Sequence, residues 1–252
     1  MILRRLGEAI SGQSWYTVII EVLVVVVGIF IGLQVDGWNE ARKDRKDEKV
    51  FLQRLHEDLL LAEKLSSRVR DRRLNRLQSA MAASDVLFGR VDREVLLEEE
   101  CTAIASTTFF NINVSGLSSL EELVSTGRMD IIRDFAMRTA LVELQQTRTA
   151  LAFMINLQTS SSGFTHFPTA HPELIQAASY FDTQIDEIRS HHQCDLTGMR
   201  TNQLFLNRFS ANLDGYDAYV RDGMAPWSSK FDEVHLLVDQ AIGISHELES
   251  DK

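Results

Sequence analysis

Between Trp15 and Val35 the chain is almost continuously apolar, and after Trp38 it turns abruptly to "NEARKDRKDEK". At about 1.5 Å per residue, Trp15–Val35 covers about 31 Å as a helix, close to the thickness of a bilayer core. Trp15 and Tyr16 stand at one end and Trp38 at the other, as aromatic anchors do at the two membrane interfaces. A secretory signal peptide would have a shorter apolar region and a small-x-small cleavage site. Here the run leads into "QVDGWNEARK", which has no such site. The pattern predicts an uncleaved transmembrane helix over 15–38, a short tail over 1–14 and an extramembrane domain over 39–252.

The charged stretch holds no proline or glycine, so the spanning helix continues into water as a stalk. From Phe51 an apolar stripe follows at three- and four-residue steps: Leu52, Leu55, Leu59, Ala62, Leu65, Val69, then after one slip Leu74, Leu77 and Met81. This periodicity predicts a long amphipathic helix to about Phe88, with Gly89 as its stop. A second helix is expected over 92–106. Ser118 or Ser119 opens a short one, with Glu122 completing a capping box and Gly127 closing it. A long helix follows over 130–159, with Ile131, Phe135, Leu141, Leu144 and Leu151 among its apolar positions. The stretch "TSSSGFTHFPTAHP" reads as a loop, Pro172 as the first residue of a helix, and 197–221 and 228–249 as two more helices separated by "GMAPW". The fold class is all-α: a single transmembrane helix continuing into the first long helix of a soluble helical bundle.

Composition supports helix over sheet. Three prolines and 13 glycines occur in 252 residues, and the one dense β-branched run lies in the apolar segment. The formal charge is −10, nearly all of it after residue 38. An acidic body excludes nucleic acid as the expected partner and is repelled by anionic headgroups. The two cysteines, Cys101 and Cys194, form neither a disulfide framework nor a zinc pattern. The burial tendency of cysteine favours two separate thiols, and a bridge is open if the domain faces an oxidising compartment.

Helical steps from Glu21 reach Val25, Gly28 and Gly32, which places these four on one face. Gly28 and Gly32 form a G-x-x-x-G spacing that permits close backbone approach, and a carboxylate on that face is better satisfied by a partner helix than by lipid. The face predicts a helix–helix contact, with another transmembrane helix of a complex or with a second copy. The plainer alternative has Glu21 reaching the headgroups and the glycines facing lipid.

Catalytic motifs are absent: no P-loop, no G-x-G-x-x-G and no G-x-S-x-G occurs. The densest group of potential ligands is "SHHQCD", with His191, His192, Cys194 and Asp195. Neighbours in sequence point to different faces of a helix, so a polar surface turn is the plainer reading, as it is for His166 and His171 around Pro168. Glu98–Glu100 read as a solvated helix face, and Phe109 and Phe110 as plugs of the helical core. No catalytic residue, cofactor or metal is assigned.

The stretch "VVVVGIFIGLQVDGWNEARKDRKDEKVFLQRLHEDL" resembles the N-terminal signature of an uncharacterised bacterial family of single-span membrane proteins, with an apolar helix, a "WN" end and a charged stalk. "SLEELVSTGRMDIIRDFAMRTALVEL" is similar to that family's second recurrent stretch. The resemblance carries no activity. It implies a basic N-terminal tail kept inside and a periplasmic domain on the bacterial inner membrane. The count of basic residues flanking the span, with Arg42, Lys43, Arg45, Lys46 and Lys49 on the far side, points the other way. The expectation is a non-catalytic accessory or scaffolding subunit that packs against a larger membrane complex. The alternative is a membrane-tethered sensor that binds a small ligand between its helices.

Overall fold

The computed structural model describes residues 15–110, 117–160, 164–183 and 187–244. The expected tail, the "NIN" segment, most of the Ser160–Gly163 run and His246 lie outside them. The chain divides into two compact units, residues 1–51 and 52–252.

Helix α1 runs unbroken over Trp15–Leu87. It contains the single helix, among the described residues, long and apolar enough to cross a membrane. Val22, Ile29, Phe30 and Leu33 are all exposed on the isolated chain, as lipid-facing side chains are. In the second unit α1 continues into a helical region. There Leu55, Leu59, Ala62, Leu77, Ala80, Ala83 and Val86 are buried. The helix ends at Gly89, whose φ of 71° is open to glycine at no steric cost.

The other elements are helices α2 (Glu98–Ala105), α3 (Ser118–Ser125), a 3₁₀ turn (Met129–Ile131), α4 (Phe135–Ser160) and α5 (Phe167–Ala170), then strands β1 (Ile175–Asp182) and β2 (Glu187–Cys194). Helices α6 (Leu196–Thr201) and α7 (Gln203–Ala218), a π-helical turn (Tyr219–Met224) and α8 (Ala225–Ile242) complete the chain. Helix α4 packs along α8, and β2 packs on α2. One core cluster joins Val86 and Leu87 of α1 to Ile104, Phe167, Ile175, Met199, Phe205 and Phe209. The all-α expectation holds, with one antiparallel hairpin added.

Several boundaries differ from the sequence expectation. Helix α2 begins at Glu98, not at 92, because the Glu100 carboxylate accepts from the Leu97 N–H and also bonds Arg93. Glu100 is therefore buried and not part of a solvated face. Helix α3 has no cap from its own serines; Asp58 of α1 supplies it. Residues 130–134 do not join α4: its start is fixed by Asp134, whose carboxylate accepts from the Met137 N–H at 2.9 Å, and Phe135 is exposed. Pro172 opens no helix. Instead Leu174 and Ile175 lead into β1, which pairs with β2 in the register Ile175↔Cys194 and Ser179↔Ser190. "GMAPW" does not break the last helices, because the chain stays helical through Met224 and the wider π turn over Tyr219–Met224 accommodates Pro226 just after it.

Candidate functional site

Cys101 of α2 and Cys194 of β2 form a disulfide with a Cα–Cα distance of 5.8 Å, so the reading of two separate thiols is corrected. The bridge settles the "SHHQCD" stretch as well. It is a strand, not a turn, and it lies on α2. His191 Nδ1 meets Glu98 Oε1 at 2.7 Å and His192 Nδ1 meets Thr102 Oγ1 at 3.3 Å. With its sulfur oxidised, Cys194 is not available as a metal ligand.

Between α1, α2 and the hairpin opens a polar cleft of about 620 Å³. One wall is α1, where Arg72 and Arg76 stand four residues apart and so share a face. Opposite them are Thr102 of α2, Ser106 just after its end, and Ser179, Ser190 and His192 of the hairpin. Burial pushes the Arg76 guanidinium below its ordinary pKa, partly offset by Tyr216; it remains a cation at neutral pH. His192 is also pushed down, first by burial and then by the charges of His191, Arg76 and His166. Its imidazole is therefore neutral at pH 7 and offers one donor and one acceptor.

Behind this wall lies a buried layer that reaches Arg76 through Tyr216. Arg73, Tyr216 and Tyr219 are buried. Phe110 packs against Phe164, Tyr216 and Tyr219, so it plugs the core as expected. Phe109 instead is exposed at the mouth of the cleft, edge-on to His166. Burial raises Tyr216, opposed by Arg73 and Arg76, and pushes Tyr219 up to about 12. Both phenols stay protonated and can serve as hydrogen-bond partners of the guanidinium groups.

His166 and His192 both line the cleft, although they are distant in sequence. His171 lies apart, buried against Phe167, with its Nδ1 3.3 Å from Glu173 Oε1. Gly28 and Gly32 stand in open space: a Cβ on either would meet nothing within 4 Å. Glu21 and Val25 lie on the same helix α1, and Trp15, Tyr16 and Trp38 are all exposed.

The sequence reading did not single out the arginine wall. Its signal is the four-residue spacing of Arg72 and Arg76 within "RDRRLNR". It reads as ordinary stalk charge until the hairpin, about 100 residues later, is placed opposite.

What these features define is a helical protein with one helix able to cross a membrane and an arginine-walled polar cleft in its second unit. Residues 21–154 match a family of unknown function, DUF6090, and the chain belongs to that family. Both stretches on which the resemblance rested fall inside the match, as do Arg72, Arg76, Thr102 and Ser106; the hairpin falls outside it. No curated protein and no solved structure matches the chain.

Proposed function

We propose that this chain is a non-catalytic, single-span protein of the bacterial inner membrane whose helical domain lies in the periplasm and recognises a small anionic ligand in the cleft. The arginine wall carries this reading. Two guanidinium groups on one helix face repel each other, and an anion between them and the hydroxyls opposite relieves that repulsion with charge-assisted hydrogen bonds. The cleft volume is in the range of small-molecule sites. A periplasmic position is supported by the Cys101–Cys194 bridge, since disulfides persist in oxidising compartments.

The test is thermal unfolding of the detergent-solubilised full chain with phosphate, sulfate and succinate. A saturable rise in midpoint with at least one anion, lost in Arg72→Gln with Arg76→Gln, supports the reading. Equal midpoints for wild type and the double variant with every anion remove it. A reporter enzyme active only in the periplasm, fused after residue 244, tests the orientation: activity is expected, and its absence places the domain in the cytoplasm.

The accessory-subunit reading rests on a different feature, the Glu21–Gly28–Gly32 face of the apolar helix, where two glycines four residues apart permit close backbone approach and a carboxylate shares their face. The two readings are compatible, because one concerns the span and the other the domain.

A further inference from the structure

Helices α1 and α8 bring two imidazoles and two carboxylates together inside the second unit. On α1, His56 and Glu63 are seven residues apart, and on α8 His235 and Asp239 are four apart, so each pair projects from one helix face. His235 and Asp239 are buried, and the side chains of His56 and Glu63 are only 12% and 17% exposed. Ligand atoms of His56, His235 and Asp239 all lie within 4.8 Å of one another.

We propose that His56, His235 and Asp239 bind one divalent transition-metal ion of the zinc class, with Glu63 orienting His235. His56 Nδ1 lies 2.9 Å and His235 Nε2 3.9 Å from the same oxygen, Asp239 Oδ1. Ligand atoms on a tetrahedral zinc ion with bonds of about 2.0–2.1 Å are about 3.3 Å apart. The two separations from Asp239 Oδ1 lie on either side of that value, and all three ligand atoms lie within 4.8 Å of one another, so side-chain adjustment of up to about an ångström closes the coordination triangle.

The second nitrogen of His235 strengthens the assignment. Its Nδ1 is 3.3 Å from Glu63 Oε2. A neutral imidazole with its proton on Nδ1, the nitrogen nearer Glu63, has the lone pair of Nε2 on the side of Asp239 Oδ1, which also carries lone pairs. A cation between them removes that repulsion. The arrangement of metal, imidazole and outer carboxylate is the one that fixes the tautomer of ligating histidines. A divalent ion also cancels the two carboxylate charges, which is what a largely buried site requires. Phe231 holds the His235 ring edge-on, with centroids 6.0 Å apart. Two nitrogens and one carboxylate leave further coordination positions to water, and this donor set suits zinc, cobalt or ferrous iron over calcium or magnesium. This site is separate from the arginine cleft and does not rest on the ligand proposed there.

The competing arrangement is a His235 imidazolium held between Glu63 and Asp239 with no ion. Binding measurements on the tag-free, EDTA-stripped full chain in detergent decide between them. With zinc chloride alone, one equivalent per chain and a raised thermal midpoint are expected, and cobalt(II) should give the intense visible bands of a four- or five-coordinate site. His56→Ala should abolish both signals while leaving helicity intact. Glu63→Gln should bind the same single equivalent about 10–100-fold more weakly. Should His56→Ala fail to fold, Asp239→Asn provides the same readout. Absence of zinc binding at micromolar concentration in the wild type overturns the proposal in favour of the imidazolium. So does zinc binding that neither His56→Ala nor Asp239→Asn weakens.

Discussion

The carboxylate of Asp58 on α1 accepts a hydrogen bond from the backbone N–H of Ser119 at 2.8 Å and from the Ser118 hydroxyl at 3.1 Å. The first turn of α3 is thus capped by a different helix. Removing that acceptor strips the cap without disturbing the core. Asp58→Ala is expected to lower stability by about 1 kcal/mol, and Asp58→Asn by less, on the scale of N-cap losses. The measurement is urea unfolding followed by circular dichroism. A change in Asp58→Ala no larger than the experimental error would show that the cap is replaced by water.

Arg73 sits among Tyr216 and Tyr219 in the buried layer behind the cleft, and burial pushes Tyr219 up to about 12. A phenol raised above its unfolded value keeps its proton in the folded state while the unfolded chain loses it. Its contribution is intact below pH 10 and is lost as pH rises from about 10 to about 12. The size is about 2–3 kcal/mol. Tyr219→Phe has no proton to lose there, so its stability between pH 9 and 12 should fall less steeply than that of the wild type. Parallel curves for the two proteins would contradict the burial assigned to this hydroxyl.

The bridge between Cys101 and Cys194 closes a loop of 93 residues. A chain-entropy estimate for a loop of that length is about 4–5 kcal/mol. Reduction, or the pair Cys101→Ala with Cys194→Ala, should lower the denaturant midpoint accordingly without removing the helical signal. Thiol labelling of unfolded, unreduced protein isolated from membranes should find no free cysteine. Two reactive thiols per chain would be the contrary result.

Leucine at both Gly28 and Gly32 should leave insertion intact, since the span becomes more apolar. It should abolish any contact that depends on close backbone approach. Glu21→Gln is expected to be milder than Glu21→Leu, because an amide still bonds across a helix contact. Crosslinking from membranes at equal expression reads this directly. Unchanged crosslinks in the double leucine variant would make the face a lipid-facing stripe.

The helices were legible where apolar residues recur on one face without interruption: Leu55, Leu59 and Ala62 are buried as their spacing predicts, and Leu141, Leu144 and Leu151 likewise. The slip between Val69 and Leu74 hid a polar position. The buried row passes through Ser66 and Arg73, while Leu65, Leu74 and Met81 are exposed. A buried arginine with phenol neighbours does not register as part of an apolar stripe. The hairpin was missed for another reason. "IQAASYFD" and "EIRSHHQC" alternate weakly, and what fastens them is a disulfide and two histidine contacts with α2, all about 90 residues distant. The arginine wall and the His56–Glu63–His235–Asp239 cluster share this property. Each joins local spacings that are ordinary by themselves and acquire chemistry when a remote element is packed opposite.

An isolated two-stranded hairpin is marginal in water, and most of β1 is exposed. The bridge at Cys194 anchors this hairpin at the end nearest α2, and the Glu98–His191 and Thr102–His192 contacts extend the anchoring along β2. The hairpin is thereby tied to α2 by a covalent link at one end and by two polar contacts along β2. The ordering entropy of that wall is met when the chain oxidises and folds, not when a ligand arrives. For the anion proposed above, the wall formed by Ser179, Ser190 and His192 would be ordered before binding, and more of the interaction energy would remain as affinity.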